Sequence, residues 1–351
     1  MDVYVLDTAT REPLGVVDDA ESVMWCPRYW DAGEFEVYAA CSRRMVELFQ
    51  PDRYVARSDS SMVGVIEHVK IETDPEEGDR LLVKGPCAKG LLGRRIVWGM
   101  QTFSGTVEQC ARRAILDNAI APGIPERAIP ELVLGPAVGL GGKMEAQVTG
   151  KSLLDTVVSW LKAGGLGWEV VLNERRLFEV RLFAGADRSD SQSFWPRVKF
   201  SPDYDNLLSS NYLYDSSNLL NAVLVGGEGE GAERRTVSVG TAAGVSRREG
   251  FVDSRNTSSK GDGGLTDDEY DAMLAQQGEE AIAESSDVCS YAGDADTGGV
   301  FSLNEHFFLG DIVNVENQYG VKGASRIVEI TECEDAEGYT ATPVFEDWRL
   351  V

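Results

Sequence analysis

Short stretches in which apolar and polar residues alternate recur near both ends of this 351-residue chain. In the N-terminal part they read DVYVLD, GEFEVYAA, VGVIEHVKIET and DRLLVKG; later ones include NAVLVGG, RTVSVG, GDIVNVEN, ASRIVEITE and YTATPVF. A period of two places one face of a strand in a core and the other in solvent. Short strands of this kind, separated by turn residues, predict barrel-like or sandwich-like β regions at both ends of the chain.

Between these two regions the pattern changes to a helical period. The stretch SGTVEQCARRAILDNAI begins with a Ser-Gly-Thr cap region, and SLLDTVVSWLKA opens with Ser152 and Asp155, a pair similar to a capping box. GWEVVLNERRLFEVRLF then predicts a hairpin that turns from Asn173 to Arg176. The middle of the chain is therefore expected to hold two helices on a short sheet.

This order of patterns predicts an α+β, mainly β fold with three domains. A further helix interrupts the last of them near residues 266–284, because Thr266 and Glu269 form a capping box ahead of good helix formers. The expected domains are a first β-barrel-like domain over residues 1–95, a small α/β domain over 96–185, and a second β-barrel-like domain over 186–351.

A weak internal similarity links the two β regions. VIEHVKIETDPEEGDRLLV resembles RIVEITECEDAEGYTATPV, and each enters an acidic turn that ends in Glu-Gly, at Glu77-Gly78 and at Glu337-Gly338. The similarity favours two related β domains on either side of the α/β domain.

The composition argues against several classes of function. The 58 Asp and Glu outnumber the 33 Lys and Arg, and the resulting net charge of −25 repels nucleic acid. The six cysteines are scattered and form no CxxC motif, and the chain contains only two histidines that could share a metal. Both facts argue against a zinc site. The acidic start, MDVYVLDTATREPLG, is unlike a secretory signal, and no apolar run approaches the ~20 residues of a membrane span.

The glycine-rich loop from Gly226 to Gly231 is the first candidate site, because such loops can cradle phosphates. It lacks the Lys-Ser or Lys-Thr of a P-loop and leads into a β pattern instead of a helix. Glu228, Glu230 and Glu233 would also repel a phosphate. We therefore expect a mobile, exposed hairpin or inter-strand turn, and no nucleotide cofactor.

The stretch DADTGGVFSLNE matches part of a calcium-binding loop. Asp294, Asp296, Gly299 and Glu305 occupy positions 1, 3, 6 and 12 of that register, but Gly298 at position 5 supplies no side-chain ligand. The flanking sequence is strand-like, whereas an EF-hand requires helices. We expect a turn without a metal.

Two histidines remain as candidate bases. His68 lies in an alternating stretch and His306 precedes two phenylalanines, and neither belongs to a GxSxG or HExxH motif. Both are interpreted as structural residues, and paired carboxylates identify nothing in a chain this acidic. The sequence thus predicts no catalytic, cofactor-binding or metal-binding residue, and the chain is not expected to be an enzyme.

Three motifs carry a resemblance to a known family through their order and spacing. The motif residues are Arg57, Asp59, Met62 and Gly64, then Gly85, Leu91, Leu92, Arg94 and Arg95, and finally Leu309, Gly310, Asp311 and Val313. With their surroundings, including FSPDYDNLLSSNYLYDSSNLLNAVLVGGEGEGAERR, they resemble the minor tail proteins of siphophages and prophages that form the baseplate hub, also called tail-associated proteins.

The resemblance implies a homotrimeric ring that caps the tail tube at the tip of the virion tail. Two β domains in each of three chains would supply six similar units to meet a six-fold tube, and an acidic bore would let DNA pass without binding it. The implied partners are a distal tail protein or tail tube ring and tip or fibre proteins, in a chain made in the host bacterial cytoplasm. The chain ends soon after its last strand, so receptor binding or cell-wall cleavage is expected in other chains.

Two alternatives belong to other classes of function. One is an enzyme that degrades polysaccharide or cell wall with two carboxylates at the edge of the α/β domain. The other is a monomeric carbohydrate-binding β protein. Cell-wall hydrolysis would favour the first, and a strict monomer that binds sugar would favour the second.

Overall fold

The computed structural model describes residues 1–76, 78–206, 211–259, 265–285, 288–292, 300–346 and 349–350. The protein is mainly β, with 38% of its residues in strands and 21% in helices, which confirms the predicted class. None of the helices in the described ranges is long and apolar enough to span a membrane.

The strands and helices are numbered here in chain order. The strands are β1 (Val3–Leu6), β2 (Pro13–Val17), β3 (Ser22–Cys26), β4 (Glu34–Ala40), β5 (Tyr54–Arg57), β6 (Val63–Val65), β7 (His68–Glu72), β8 (Arg80–Pro86), β9 (Met100–Thr106), β10 (Leu132–Leu134), β11 (Lys143–Thr149), β12 (Gly167–Leu172), β13 (Phe178–Phe183), β14 (Lys199–Phe200), β15 (Asn211–Asp215), β16 (Ala222–Gly226), β17 (Thr236–Val239), β18 (Glu249–Asp253), β19 (Val288–Ala292), β20 (Ile312–Glu316), β21 (Lys322–Asp335), β22 (Gly338–Phe345) and β23 (Arg349–Leu350). The α-helices are α1 (Arg43–Leu48), α2 (Val107–Ile115), α3 (Leu153–Ala163) and α4 (Asp267–Glu284), and α2 continues into a π-helical turn, Leu116–Ile120. Short 3-10 helices are Ala88–Arg94, Pro125–Arg127, Pro202–Tyr204, Gly231–Glu233 and Gly244–Ser246.

The described strands form five sheets. The largest follows the order β15-β19-β22-β21-β3-β4-β8-β7, with β20 and β23 also paired to β21 and β14 paired to β20. The smaller sheets are β2-β1-β5-β6, β10-β13-β12, β9-β11 and β17-β16-β18. Among the described strands, no sheet closes into a barrel.

The long strand β21 joins the two ends of the chain. Its last residues pair antiparallel with β3, with Glu332 opposite Trp25 and Glu334 opposite Val23. Its first residues, Lys322–Arg326, pair with β20, and Ile327–Asp335 pair with β22. The N-terminal and C-terminal β regions therefore share one continuous sheet.

Local capping explains why the predicted helices form where they do. Thr106 and Gln109 make a reciprocal capping box at the start of α2, and Thr266 and Glu269 make another at the start of α4. At the start of α3, the Ser152 hydroxyl accepts a hydrogen bond from the Asp155 backbone N–H at 3.3 Å. These three helices confirm the sequence predictions.

One predicted strand is wrong in its continuity. VGVIEHVKIET forms β6 and β7 in two different sheets instead of a single strand. The Ile66 N–H donates to the Arg53 carbonyl in the small sheet, and the next N–H, that of Glu67, donates to Lys84 in the large one. The chain changes partners between these residues, which alternation alone does not reveal.

The buried hydrophobic residues of the described ranges form four clusters. The largest is shared by the first β region and the α/β region, and it includes the buried residues Leu6, Tyr29, Phe103 and Trp160. A second cluster lies within the first β region, a third surrounds Phe200 in the last region, and a fourth lies between β16 and α4. Because the largest cluster draws on residues both before and after residue 95, these two regions pack as neighbours.

Candidate functional site

A cleft of about 600 Å³ lies where the first β region, the α/β region and the last β region meet. Met62 and Lys89 line it from the first region, Trp168 from the second and Phe308 from the third. Its volume is in the range of small-molecule sites, so the question is whether its polar groups are available for chemistry.

Tyr29, a residue of the first region, contacts both of the other regions next to this cleft. Its side chain is fully buried, and its hydroxyl donates to the Gly165 carbonyl and accepts from the Gly185 N–H, both at 3.2 Å. Its backbone N–H donates to Val328 of β21 at 2.8 Å. A Cβ on Gly310 would overlap the ring, so the glycine is required at this contact. Burial raises the pKa of the Tyr29 hydroxyl and favours the neutral donor.

Lys89 closes the floor of the cleft. Its ammonium is fully buried and donates to the backbone carbonyls of Arg28 at 2.5 Å and Asp31 at 3.2 Å, 5.1 Å from the Trp168 ring. Burial lowers the pKa of Lys89 to about 8. The ammonium of Lys89 is hydrogen-bonded to the turn that follows β3, so Lys89 positions that turn.

A buried ion pair borders the cleft on the side of the last β region. Arg188 Nε donates to Asp311 Oδ2 at 2.6 Å, and both side chains are at most one-tenth exposed. The Asp311 carboxylate also accepts from the N–H groups of Ala186 at 2.8 Å and Phe308 at 3.0 Å. The Arg188 guanidinium lies over the Phe308 ring at 5.6 Å. Asp311 thus receives three hydrogen bonds and organises the segment that enters β20.

A second buried ion pair crosses between the two β regions. The Arg57 guanidinium donates to both oxygens of Asp59, at 2.9 and 2.7 Å, and to Glu332 of β21 at 3.0 Å. The Tyr339 hydroxyl donates to the same Glu332 carboxylate at 2.7 Å. Because buried charges require partners, this network fixes the register in which β21 lies against β3.

The motif residues of the sequence acquire structural roles in these contacts. Asp59 and Asp311 neutralise buried arginines. Gly64 and Gly85 lie so close to neighbouring atoms that a side chain would overlap Phe35 and the Val65 carbonyl, respectively. The motifs therefore describe contacts that hold the regions together, and the carboxylates of Asp59 and Asp311 at the cleft are bound by arginines.

The candidate bases and the partial calcium register do not form a site in the described part of the chain. His68 is exposed on β7, and His306 Nδ1 accepts a hydrogen bond from the Ser302 N–H at 3.0 Å. Asp294 and Asp296 lie outside the described residues, whereas Glu305 is exposed. No cluster of three or more potential metal ligands occurs within the described ranges. No disulfide joins Cys26, Cys41, Cys87, Cys110 or Cys333.

The glycine-rich loop is an inter-strand turn, as predicted, but its first half is buried. Residues 223–226 of β16 pair with β17, and the Gly227 N–H extends this ladder by donating to the Arg235 carbonyl at 2.8 Å. Tyr270 of α4 covers the loop, and its hydroxyl accepts from the Glu228 N–H at 2.8 Å. The expectation of full exposure is therefore wrong for Gly226 and Gly227 and holds only for the tip, from Gly229 to Gly231.

The acidic excess is distributed unevenly among the three regions. Residues 96–185 carry nine acidic and nine basic residues, residues 1–95 carry 18 and 12, and residues 186–351 carry 31 and 12. The α/β region is therefore neutral, and the whole negative charge belongs to the two β regions.

Two acidic turns lie at the same end of the large sheet. In each turn an aspartate accepts from the N–H of a glutamate two residues on: Asp74 from Glu76 at 2.7 Å, and Asp335 from Glu337 at 2.8 Å. Each is followed by a glycine with positive φ, as in the similarity seen in the sequence. The strands between β21 and β7 are all antiparallel, so β21 and β7 run in the same direction and both turns leave the sheet at one end.

Sequence reasoning missed the residues that matter most at this junction. Tyr29, Lys89, Arg188 and Glu332 occur in no motif, and their partners lie far away along the chain. The only local signal is that Leu309-Gly310-Asp311 stands directly before a strand-like stretch. This position singles out Asp311 but does not identify its partner.

The sequence matches the model of the family described as Siphovirus ReqiPepy6 Gp37-like protein over residues 2–345. Among curated proteins, none is similar enough to be a match.

Three solved structures have a similar fold over nearly their whole length. The prophage MuSo2 43 kDa tail protein from Shewanella oneidensis has a TM-score of 0.61 at 11% identity, covering 99% of this chain and 98% of that one. The tail protein from Neisseria meningitidis MC58 has a TM-score of 0.57 at 14% identity, with 98% and 96% covered. Prophage tail protein gp18 from Listeria monocytogenes EGD-e has a TM-score of 0.57 at 12% identity, with 99% and 95% covered.

Proposed function

The chain belongs to the family of siphovirus ReqiPepy6 Gp37-like proteins. From this premise we propose that it is a structural protein of the phage tail and that three copies form a ring at the tip of the tail tube. The ring acts as a baseplate hub that links the tube to the tip or fibre proteins. It leaves an axial channel through which DNA leaves the particle.

The proposed ring uses the three regions of the chain differently. Residues 1–95 and 186–351 act as two β hub regions that share a sheet, and three copies provide six of them to meet a six-fold tube. Residues 96–185 form the small α/β domain outside the channel. The shared acidic turn at Asp74 and Asp335 supports this pairing, since it gives the two β regions one common structural element.

The location of the negative charge is the observation that carries the channel proposal. The two β regions hold all of the acidic excess, and the α/β region between them is neutral. A bore lined by acidic β domains repels the DNA phosphates, so DNA slides through without binding. If the acidic excess were spread evenly over the chain, the negative charge would be better explained as a means of keeping the protein in solution.

The proposed role is structural and not enzymatic. The buried charges at the cleft, Arg57, Lys89, Arg188 and Asp311, are held by other groups of the chain. The proposed partners are a second and third copy of the chain, a distal tail protein or tube ring above, and tip or fibre proteins below. The proposed location is the tail tip, after synthesis in the host cytoplasm.

Counting copies in intact tails tests this proposal without requiring the isolated chain to assemble. Isotope-labelled peptides of this chain and of the tube protein are used as standards for quantitative mass spectrometry of purified particles. We expect three copies per particle. Six copies, or a number that varies between particles, would refute the trimeric hub.

A further inference from the structure

An exposed patch on the neutral α/β region combines apolar side chains with arginines. Trp98 is 54% exposed, and Ile96 and Ile124 are each 40% exposed. The Arg127 guanidinium lies over the Trp98 ring at 4.8 Å, and its Nη2 donates to the Ile96 carbonyl at 2.7 Å. These residues, together with Arg95, are called the Trp98 patch below. Exposed tryptophan beside arginine is the composition that dominates binding energy in protein interfaces.

The two arginines of the Trp98 patch have no carboxylate partner within the described residues. Arg95 Nε donates to the Arg127 carbonyl at 2.6 Å, which places the two cationic residues side by side. Desolvation and the charge of Arg95 both lower the pKa of Arg127. Neighbouring arginines are neutralised instead: Arg94 by Asp52 and Glu67, and Arg113 by Asp117.

This absence of carboxylates is notable in a chain of net charge −25, where most arginines in the described ranges lie against an acid. Two adjacent guanidinium groups attract carboxylates, and an acidic partner would relieve their mutual repulsion. The exposed Trp98 ring beneath the Arg127 guanidinium supplies apolar area for the same contact.

The two acidic turns described above have the complementary chemistry. Glu76 and Asp79 in the first turn, and Asp335 and Glu337 in the second, are exposed. Both turns leave the large sheet at one end, so they present several carboxylates on a common side. They belong to the β regions, whereas Trp98, Ile96, Ile124 and Arg127 of the Trp98 patch belong to the α/β region and Arg95 lies at its boundary.

We propose that the Trp98 patch of one copy docks on the acidic turns of a second copy. The contact is heterologous, since two different surfaces of the same chain meet, and such contacts close rings. This inference rests on the proposed hub function and names the surfaces through which its copies meet. It also assigns the neutral α/β region a role in assembly.

Site-specific photo-crosslinking in assembled tails tests the proposal. The photoreactive residue p-benzoylphenylalanine replaces Trp98, and the crosslinked peptides are identified by mass spectrometry. We expect a product with the mass of two chains, joined from position 98 to a peptide within residues 68–86 or 322–345. A product with a different protein, or none beyond a single chain, would overturn the proposal.

Phe251 offers a matched control position. It is 57% exposed and has the Arg234 guanidinium over its ring at 5.3 Å, but Arg234 is already paired with Asp253. The same photoreactive residue at position 251 should give no crosslink to the acidic turns. If positions 98 and 251 gave the same products, the Trp98 patch would have no special role.

Charge exchange provides an independent measurement. Reversing Arg95→Glu and Arg127→Glu together should reduce incorporation into tails by about tenfold or more, as expected for the loss of two interfacial charge contacts. Adding Asp335→Arg and Glu337→Arg should restore incorporation. Arg175→Glu, an exposed arginine of the same region, is the control and should change nothing. A double reversal without effect, or a defect that the exchange does not rescue, would contradict the docking.

The copy number and the crosslinks separate the two proposals. Three copies with crosslinks to another protein would leave the hub in place and refute only the docking surface. A copy number other than three would refute the hub itself, whatever the crosslinks show.

Discussion

Removing the Asp311 carboxylate should destabilise the protein strongly. Asp311 is 3% exposed and accepts from Arg188 and from two backbone N–H groups. Asp311→Ala leaves a buried guanidinium without its counter-charge, which costs about 3–5 kcal/mol of unfolding free energy. Since typical domains are stable by only roughly 5–15 kcal/mol, the loss is a large fraction of the total.

The matched control is the same substitution in an exposed ion pair of the same segment. Asp190 pairs with Arg197 at 3.5 Å, and both side chains are more than half exposed. Asp190→Ala should therefore cost roughly 0–1 kcal/mol. Urea unfolding of both variants, followed by circular dichroism and tryptophan fluorescence, measures the difference through the transition midpoint.

A double-mutant cycle assigns the loss to the ion pair. Adding Arg188→Met to Asp311→Ala removes the unpaired charge, so the double variant should be more stable than Asp311→Ala alone. The reasoning is refuted if Asp311→Ala lowers the unfolding free energy no more than Asp190→Ala does. It is also refuted if the double variant loses the sum of the two single-variant losses, since the pair would then not interact.

Three further outcomes follow from the same contacts. Burial lowers the pKa of Lys89 to about 8 in the folded protein, against the usual lysine value of 10.5 in the unfolded chain. Between these two pH values the unfolded chain therefore binds more protons than the folded protein. The stability of the wild type relative to Lys89→Met should therefore rise from pH 8 to 10 in urea titrations, and a fall would contradict the argument. Gly310→Ala should cost about 1–3 kcal/mol more than Gly320→Ala, since both have positive φ but only the first overlaps the Tyr29 ring; equal midpoints would exclude this overlap. ATP, GTP or NAD should leave the melting temperature unchanged, and a dose-dependent rise would restore the phosphate-binding interpretation of the glycine-rich loop.

Local signals predicted α2, α3, α4 and one hairpin, because the information for these elements lies within a few residues, whereas the short helix α1 was not predicted. The caps at Thr106, Ser152 and Thr266 need only a side chain and an N–H three residues on. The Asn173 turn closes through its own side chain, whose oxygen accepts from Arg175 and Leu177. Such features are fixed before any distant part of the chain is present.

Contacts between distant residues could not be predicted in the same way. Arg57 and Glu332 are 275 positions apart, and nothing near either residue identifies the other. The burial of Gly227 depends on Tyr270, which arrives from a helix that follows a separate strand. Alternation also marked the stretch after Met62 as a strand without showing that its two halves join different sheets.

A high-resolution electron microscopy map of the assembled tail tip tests the central proposal most directly. We predict three copies of this chain around the tail axis, with the two β regions facing the bore, acidic side chains exposed in it, and residues 96–185 outside. A single copy, a peripheral arm away from the axis, or a bore lined by basic side chains would contradict the account.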